Sequence, residues 1–131
     1  MHRLAIHSVS TLFALFGILP ANAWAGLVII TGCAHPGVET IVRRAKEMRQ
    51  KPVCLLMGGM HLMNHNSSRI DHILQTLREL QVEHVAPSHC TGDTALLRFE
   101  QVWGDRFLSG GLGARIDINE YGPQVQTSGL R

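Results

Sequence analysis

The sequence has no C-x-x-C pair, and its three cysteines, Cys33, Cys54 and Cys90, make an odd number. A disulfide framework is therefore excluded as the organising feature. Charge of one sign is also scarce: twelve Lys and Arg against ten Asp and Glu leave a formal net charge of +2 with histidine neutral. No strong field steers the chain towards nucleic acid or an acidic partner. The densest basic cluster, Arg43-Arg44-Ala45-Lys46, reads as the solvated face of a helix. The apolar run from Leu12 to Leu19 stops at Pro20, short of the about 20 residues of a stable membrane span. There is no internal linker and no low-complexity tract. With 131 residues and 45% hydrophobic content, the chain is one domain at most, or part of one, with enough apolar side chains for a core. What it does have is histidine, eight residues against a single tyrosine, a bias towards imidazole chemistry.

Residues 1–25 have the build of a secretory signal: His2 and Arg3, the apolar run, then Ala21-Asn22-Ala23 as a small-x-small cleavage site. A core strand begins almost at once at Gly26-Leu27, so the same stretch also reads as a misplaced start that mimics a signal. The first reading makes the protein exported and the second cytoplasmic. Residues 26–120 then form the folded unit, and 121–131 a polar tail expected to fray.

Within that unit strands and helices alternate, which indicates an α/β fold. Leu27 to Ile30 reads as a buried strand. Val38, Ile41, Val42, Ala45 and Met48 recur at helical spacing from Gly37 to about Gln50, where Lys51-Pro52 ends the helix. Val53 to Met57 is a continuous apolar run whose two faces must both be covered, as in a sheet with helices packed on it. The polar stretch Asn64 to Ser68 can cap a second helix, with Ile70, Ile73, Leu74, Leu77 and Leu80 inward and Arg69, His72, Gln75 and Glu79 outward. Val82 to Ala86 is a third strand, and Thr91-Gly92-Asp93 opens a third helix that buries Ala95, Leu96, Phe99, Val102 and Trp103. After Gly104-Asp105, Arg106 to Leu108 and Ala114 to Ile118 read as two short strands around the Gly110–Gly113 turn.

Each of the three strands ends in a loop that carries a histidine: His35, His61 and His89. In open α/β sheets the ligand site lies outside the carboxyl ends of the strands, so these loops can converge on one pocket. Cys33 and Cys90 each stand within two positions of a histidine, whereas Cys54 reads as a small core residue. Imidazole and thiolate are the ordinary ligands of zinc, and imidazole with carboxylate suits iron or manganese. A lone loop histidine has a plainer use, bonding a backbone carbonyl. Gly32, Gly58, Gly59 and Gly92 permit tight turns and close backbone approach, and Thr91 with Gly92 offers an amide and a hydroxyl to an anion. Asp93 reads as a helix-start residue. A cysteine nucleophile with a histidine base, Cys90 with His61 or Cys33 with His89, is a further option. His89 and Cys90 themselves are adjacent and expected to point apart.

The stretches Gly26 to Gly37 (GLVIITGCAHPG), Met57 to Leu62 (MGGMHL) and Pro87 to Gly92 (PSHCTG) together resemble the metallo-β-lactamase-fold hydrolases. Among these they are most similar to the 7,8-dihydropterin-6-yl-methyl-4-(β-D-ribofuranosyl)aminobenzene-5'-phosphate synthase subgroup. The resemblance covers about residues 26 to 118 and implies the C-terminal half of an αβ/βα sandwich with a metal site at the sheet edge. It also implies a divalent metal, zinc first and manganese or iron after it, held by His89 with His35 or Cys33. His35 is the first choice of those two, because neutral imidazole binds readily at pH 7. His61 is implied as a catalytic hydrogen-bond donor in the pocket, and the substrate as a small phosphorylated or pterin-like molecule. One departure is large: the H-x-H-x-D-H cluster that supplies the family's principal ligands occurs nowhere in these 131 residues. The expectation is therefore a partial copy that needs a partner chain or a second copy to complete its site. Its rival is a non-enzymatic fragment holding at most one metal ion.

Overall fold

The computed structural model describes residues 26–119 and 122–126. The signal-like segment 1–25 and the end of the tail, 127–131, lie outside the described residues. Three parallel strands, β1 (Leu27–Thr31), β2 (Val53–Gly58) and β3 (Val82–Pro87), form one sheet in the order β1-β2-β3. The crossovers are α1 (Val38–Arg49) and α2 (Ser67–Glu79), and α3 (Asp93–Trp103) follows β3. This strand-helix alternation is the α/β arrangement that the apolar rhythm implied.

Each helix has a local reason for its ends. α1 stops where Gln50 turns left-handed (φ 51°) and donates its amide to the Lys46 carbonyl at 2.7 Å, just ahead of Pro52, which cannot continue a helix. α2 starts at Asn66, whose side-chain oxygen accepts the Arg69 amide at 2.9 Å. α3 ends at Gly104, and its Trp103 indole donates to the Val82 carbonyl at 3.1 Å, tying the helix to the start of β3.

All three helices pack on the same face of the sheet. Val38, Ile41, Val42 and Ala45 of α1, Ile70, Ile73, Leu74 and Leu77 of α2, and Ala95, Phe99 and Trp103 of α3 join Leu27, Ile29, Leu56 and Val85 in one core. Consecutive crossovers of one hand place their helices on one side. The opposite face carries a smaller core of Val28, Leu55, Ala86 and Leu108 with Met57, Ile116 and Ile118 packed beside it. Both faces of β2 are thus covered as expected, but helices cover one and an irregular segment with a strand covers the other.

Some expectations need correction. Met48 is 60% exposed and Val102 41% exposed, because each lies on the flank of its helix's apolar stripe, turned away from the sheet. The segment 106–108 does not pair with the later strand; Phe107 makes only an isolated parallel bridge to Val85. Instead β4 (Arg115–Asn119) pairs antiparallel with β5 (Gly122–Gln126), so part of the supposed frayed tail is strand. Among the described residues no helix is long and apolar enough to cross a membrane.

Candidate metal centre at the strand ends

The parallel pairing continues past the sheet into the three loops that follow β1, β2 and β3. The Gly59 amide donates to the Gly32 carbonyl at 2.9 Å and the Ser88 amide to the Gly58 carbonyl at 2.9 Å. The Leu62 and Met63 amides both reach the Cys90 carbonyl, at 3.0 and 3.3 Å. The Thr31 hydroxyl lies 3.1 Å from the Met57 carbonyl and 2.9 Å from that of Gly59, and so binds the first loop to the second. Thr91 is 0% exposed, and its hydroxyl accepts the Met60 amide at 3.4 Å. Its hydroxyl is a tie between loops and is not available to a solvent anion, which leaves the tight-turn reading of Thr91-Gly92. The loops are therefore held at fixed separations by buried hydrogen bonds, each costly to break.

Those separations bring three ligand atoms together. Cys33 Sγ, a ring nitrogen of His89 and Cys90 Sγ all lie within 4.8 Å of one another. Cys33 Sγ is 3.4 Å from His89 Nε2, and Ser88 Oγ is 3.3 Å from Nδ1 of the same ring. Ser88 thus orients the imidazole with Nε2 towards the sulfur. Cys90 Sγ donates to the Cys33 carbonyl at 3.7 Å. His89 is exposed and both cysteines are half-buried.

Convergence of neighbouring His89 and Cys90 side chains was not expected from the sequence, and the backbone explains it. Cys90 is left-handed, with φ 54°, and this reverses the usual divergence of consecutive side chains. Ala34 (φ 55°) and His61 (φ 52°) are left-handed too, so each of the three loops carries one non-glycine residue in a conformation costing about 1–2 kcal/mol. Strain of this kind collects at functional sites. Burial pushes the Cys90 thiol above its ordinary value, the backbone amide of His61 pulls it back in part, and the neighbouring Cys33 sulfur raises it further.

The floor of the cluster is Gly59. A Cβ there would stand 2.8 Å from Cys90 Sγ, 2.8 Å from His89 Nε2 and 2.5 Å from the Gly32 carbonyl. Beside it, Gly58 has φ 116°, and a Cβ would run into the Thr31 carbonyl. The space a side chain would fill is left to Cys90 Sγ and His89 Nε2. Around a tetrahedral zinc, bonds of about 2.0–2.3 Å would place ligand atoms about 3.3–3.8 Å apart, a spacing that the three atoms, within 4.8 Å of one another, would reach by side-chain rotation. Two thiols and an imidazole are a donor set for zinc rather than for a hard, oxygen-seeking cation.

The histidines expected to share one pocket divide into two groups. His89 joins the cysteines, while His35 and His61 meet each other, ring centroids 4.1 Å apart and planes tilted by 43°. Of the expected metal ligands, Cys33 and His89 fall in the cluster and His35 faces His61. The sequence offers Cys90 as a nucleophile or a loop residue, and only its place directly after His89 signals a metal donor. Of the two thiol-imidazole pairs that the sequence offers for catalysis, Cys33 and His89 lie in contact at 3.4 Å. Cys54 is buried within β2, as expected.

An open groove of about 840 Å³ leads away from His89 and Cys90, past Met63 and Leu96, to Phe107 and Leu112. Its charged lining residues are Asp93 and Glu100, with no Lys or Arg.

No family model matches the sequence. Over 83 residues the chain is 31% identical to the 7,8-dihydropterin-6-methyl-4-(β-D-ribofuranosyl)-aminobenzene-5'-phosphate synthase of Methanocaldococcus jannaschii, covering 63% of this chain and 28% of that one. An uncharacterised protein of the same organism is 30% identical over 91 residues, which are 70% of this chain and 34% of that protein. The crystal structure of a metal-dependent hydrolase of the β-lactamase superfamily superimposes with a TM-score of 0.63 at 33% identity, covering 70% of this chain and 36% of the other. The chain spans about a third of the length of the curated relatives it matches.

Proposed function

From a chain related in sequence and fold to the metal-dependent hydrolases of the β-lactamase superfamily, we propose that residues 26–120 supply part of a metal-dependent hydrolase or transferase site. The observation that carries this reading is the Cys33–His89–Cys90 cluster, placed where the carboxyl ends of parallel strands present ligands. These three residues would hold a divalent ion, zinc by preference and manganese or iron less readily, which would polarise a substrate oxygen and acidify water. Ser88 keeps His89 in register, and Gly59 leaves the space that the cluster occupies. His61 does not line the groove; from its place against His35 it would donate a hydrogen bond to a substrate that reaches that side of the cluster. His35, against its ring, is the alternative ligand if the loops rearrange on binding.

The substrate is a small molecule of the pterin-like or phosphorylated class. The groove favours its ring end, since Leu96, Phe107 and Leu112 offer apolar contact while Asp93 and Glu100 repel a free phosphate. A second reading, a non-enzymatic fragment that binds at most one ion, is favoured by the absence of H-x-H-x-D-H from these 131 residues. The enzyme reading, by the same absence, needs a partner chain or a second copy to complete its site.

Titration of the purified chain with zinc and with manganese, followed by assays of phosphodiester and lactam hydrolysis, separates the two readings. Stoichiometric zinc with turnover abolished in His89→Ala supports the enzyme. Zinc binding without turnover supports the fragment, and no bound metal overturns both.

A further inference from the structure

We propose that Cys33 and Cys90 are a redox-modifiable dithiol whose two-electron oxidation joins them in a disulfide. The bond rests on the placement of the sulfurs. Its consequence, removal of two donors from the metal centre, rests on the functional reading above.

The two residues are 57 positions apart, yet Cys90 Sγ reaches the Cys33 carbonyl at 3.7 Å and the two sulfurs lie within 4.8 Å of each other. Their loops are already fastened together, the second to the first through Gly59 and Gly32 and the second to the third through Leu62, Met63 and Cys90. A disulfide requires an S–S distance of about 2.05 Å. With the loops tied, closing the remaining gap falls to rotation of the two side chains about their Cα–Cβ bonds. Both thiols are free and half-buried on loops, within reach of a small oxidant. Cys54 has the opposite environment, 5% exposed inside β2, and is a built-in control.

The oxidant is a small dialkyl disulfide. One cysteine thiolate attacks one of its sulfurs, forming a mixed disulfide and releasing one thiolate. The second cysteine then attacks the protein sulfur of that mixed disulfide, forming the Cys33–Cys90 bond and releasing the second thiolate. The protein gives up two electrons, the oxidant is reduced to two thiols, and the two cysteine protons end on those thiols. A metal ion held by the same sulfurs would compete with this chemistry.

The test uses the whole chain, reduced and metal-free, incubated with oxidised glutathione, quenched by alkylation after unfolding, and read by intact mass and peptide mapping. The expected product has lost two hydrogens, carries a linked Cys33–Cys90 peptide pair, and is alkylated only at Cys54. Cys54→Ser should form the same bridge, whereas Cys33→Ser and Cys90→Ser should retain one glutathione and form none. Circular dichroism of each variant confirms that it is folded. Two separate glutathione adducts, or thiols that remain fully alkylatable, overturn the proposal. A parallel zinc titration isolates the metal reading: reduced chain should bind zinc, bridged chain should not, and dithiothreitol should restore binding. A bridge in a chain that never binds zinc upholds the dithiol and overturns the metal centre.

Discussion

The helix-covered face of the sheet and the rim at its strand ends follow opposite rules. Beneath the helices, Ile29, Val38, Val42, Leu56, Leu77 and Phe99 are buried to 2% exposure or less, and their stabilisation is proportional to apolar area and indifferent to direction. At the rim, three left-handed non-glycine residues, a glycine whose Cβ would collide, and a set of main-chain bonds between loops place two thiols and an imidazole together. There the gain is in geometry, and the strain of each left-handed residue is borne by the core. The difference teaches that stability and chemistry are separable in this chain, and substitutions can move one without the other.

The largest expected effect tests the core. Phe99→Ala removes a fully buried ring and should cost about 3–5 kcal/mol in denaturant unfolding, while the fraction that remains folded binds zinc with unchanged affinity. Weaker zinc binding by that folded fraction would break the separation. Next is the reverse case. Gly59→Ala puts a methyl against Cys90 Sγ and His89 Nε2 and should lower zinc affinity by about 10–100-fold, with a smaller loss of stability than Phe99→Ala. The smallest effect contrasts the cysteines. Burial, with Glu83 adding to it, raises the Cys54 thiol above its ordinary value of 9.0. The folded state therefore prefers the neutral thiol. The resulting stability is fully present below pH 9.0 and is lost as pH rises through the higher folded value. Alkaline unfolding curves should show this decline in the wild type and a shallower one in Cys54→Ala.

The same contrast explains what could be read in advance. Val53 to Met57 and the stripe Ile70, Ile73, Leu74, Leu77 announce strand and helix because burial follows periodicity. The stripes overreached most at Met48 and Val102, which lie on the flanks of their helices. β5 went unread because Gly122-Pro123-Gln124-Val125-Gln126 combines residues that strands avoid, and its partner β4 was consequently matched to 106–108. At the rim the residue types were legible and their grouping was not. Whether His89 joins Cys90 or points away from it depends on φ at Cys90, and cysteine carries no preference for the left-handed region that would signal it. His35 likewise shares a loop with Cys33, but its ring packs, tilted, against that of His61.

The central claim is that the donors are Cys33, His89 and Cys90, and titration with cobalt(II) tests it most directly, since cobalt occupies zinc sites and its thiolate bonds absorb in the near ultraviolet. The account predicts a thiolate-to-cobalt band that falls by about half in Cys33→Ser and in Cys90→Ser and is unchanged in Cys54→Ser. Cobalt bound without that band, or binding lost in His35→Ala and retained in both loop-cysteine variants, would contradict it and move the centre to the His35–His61 pair.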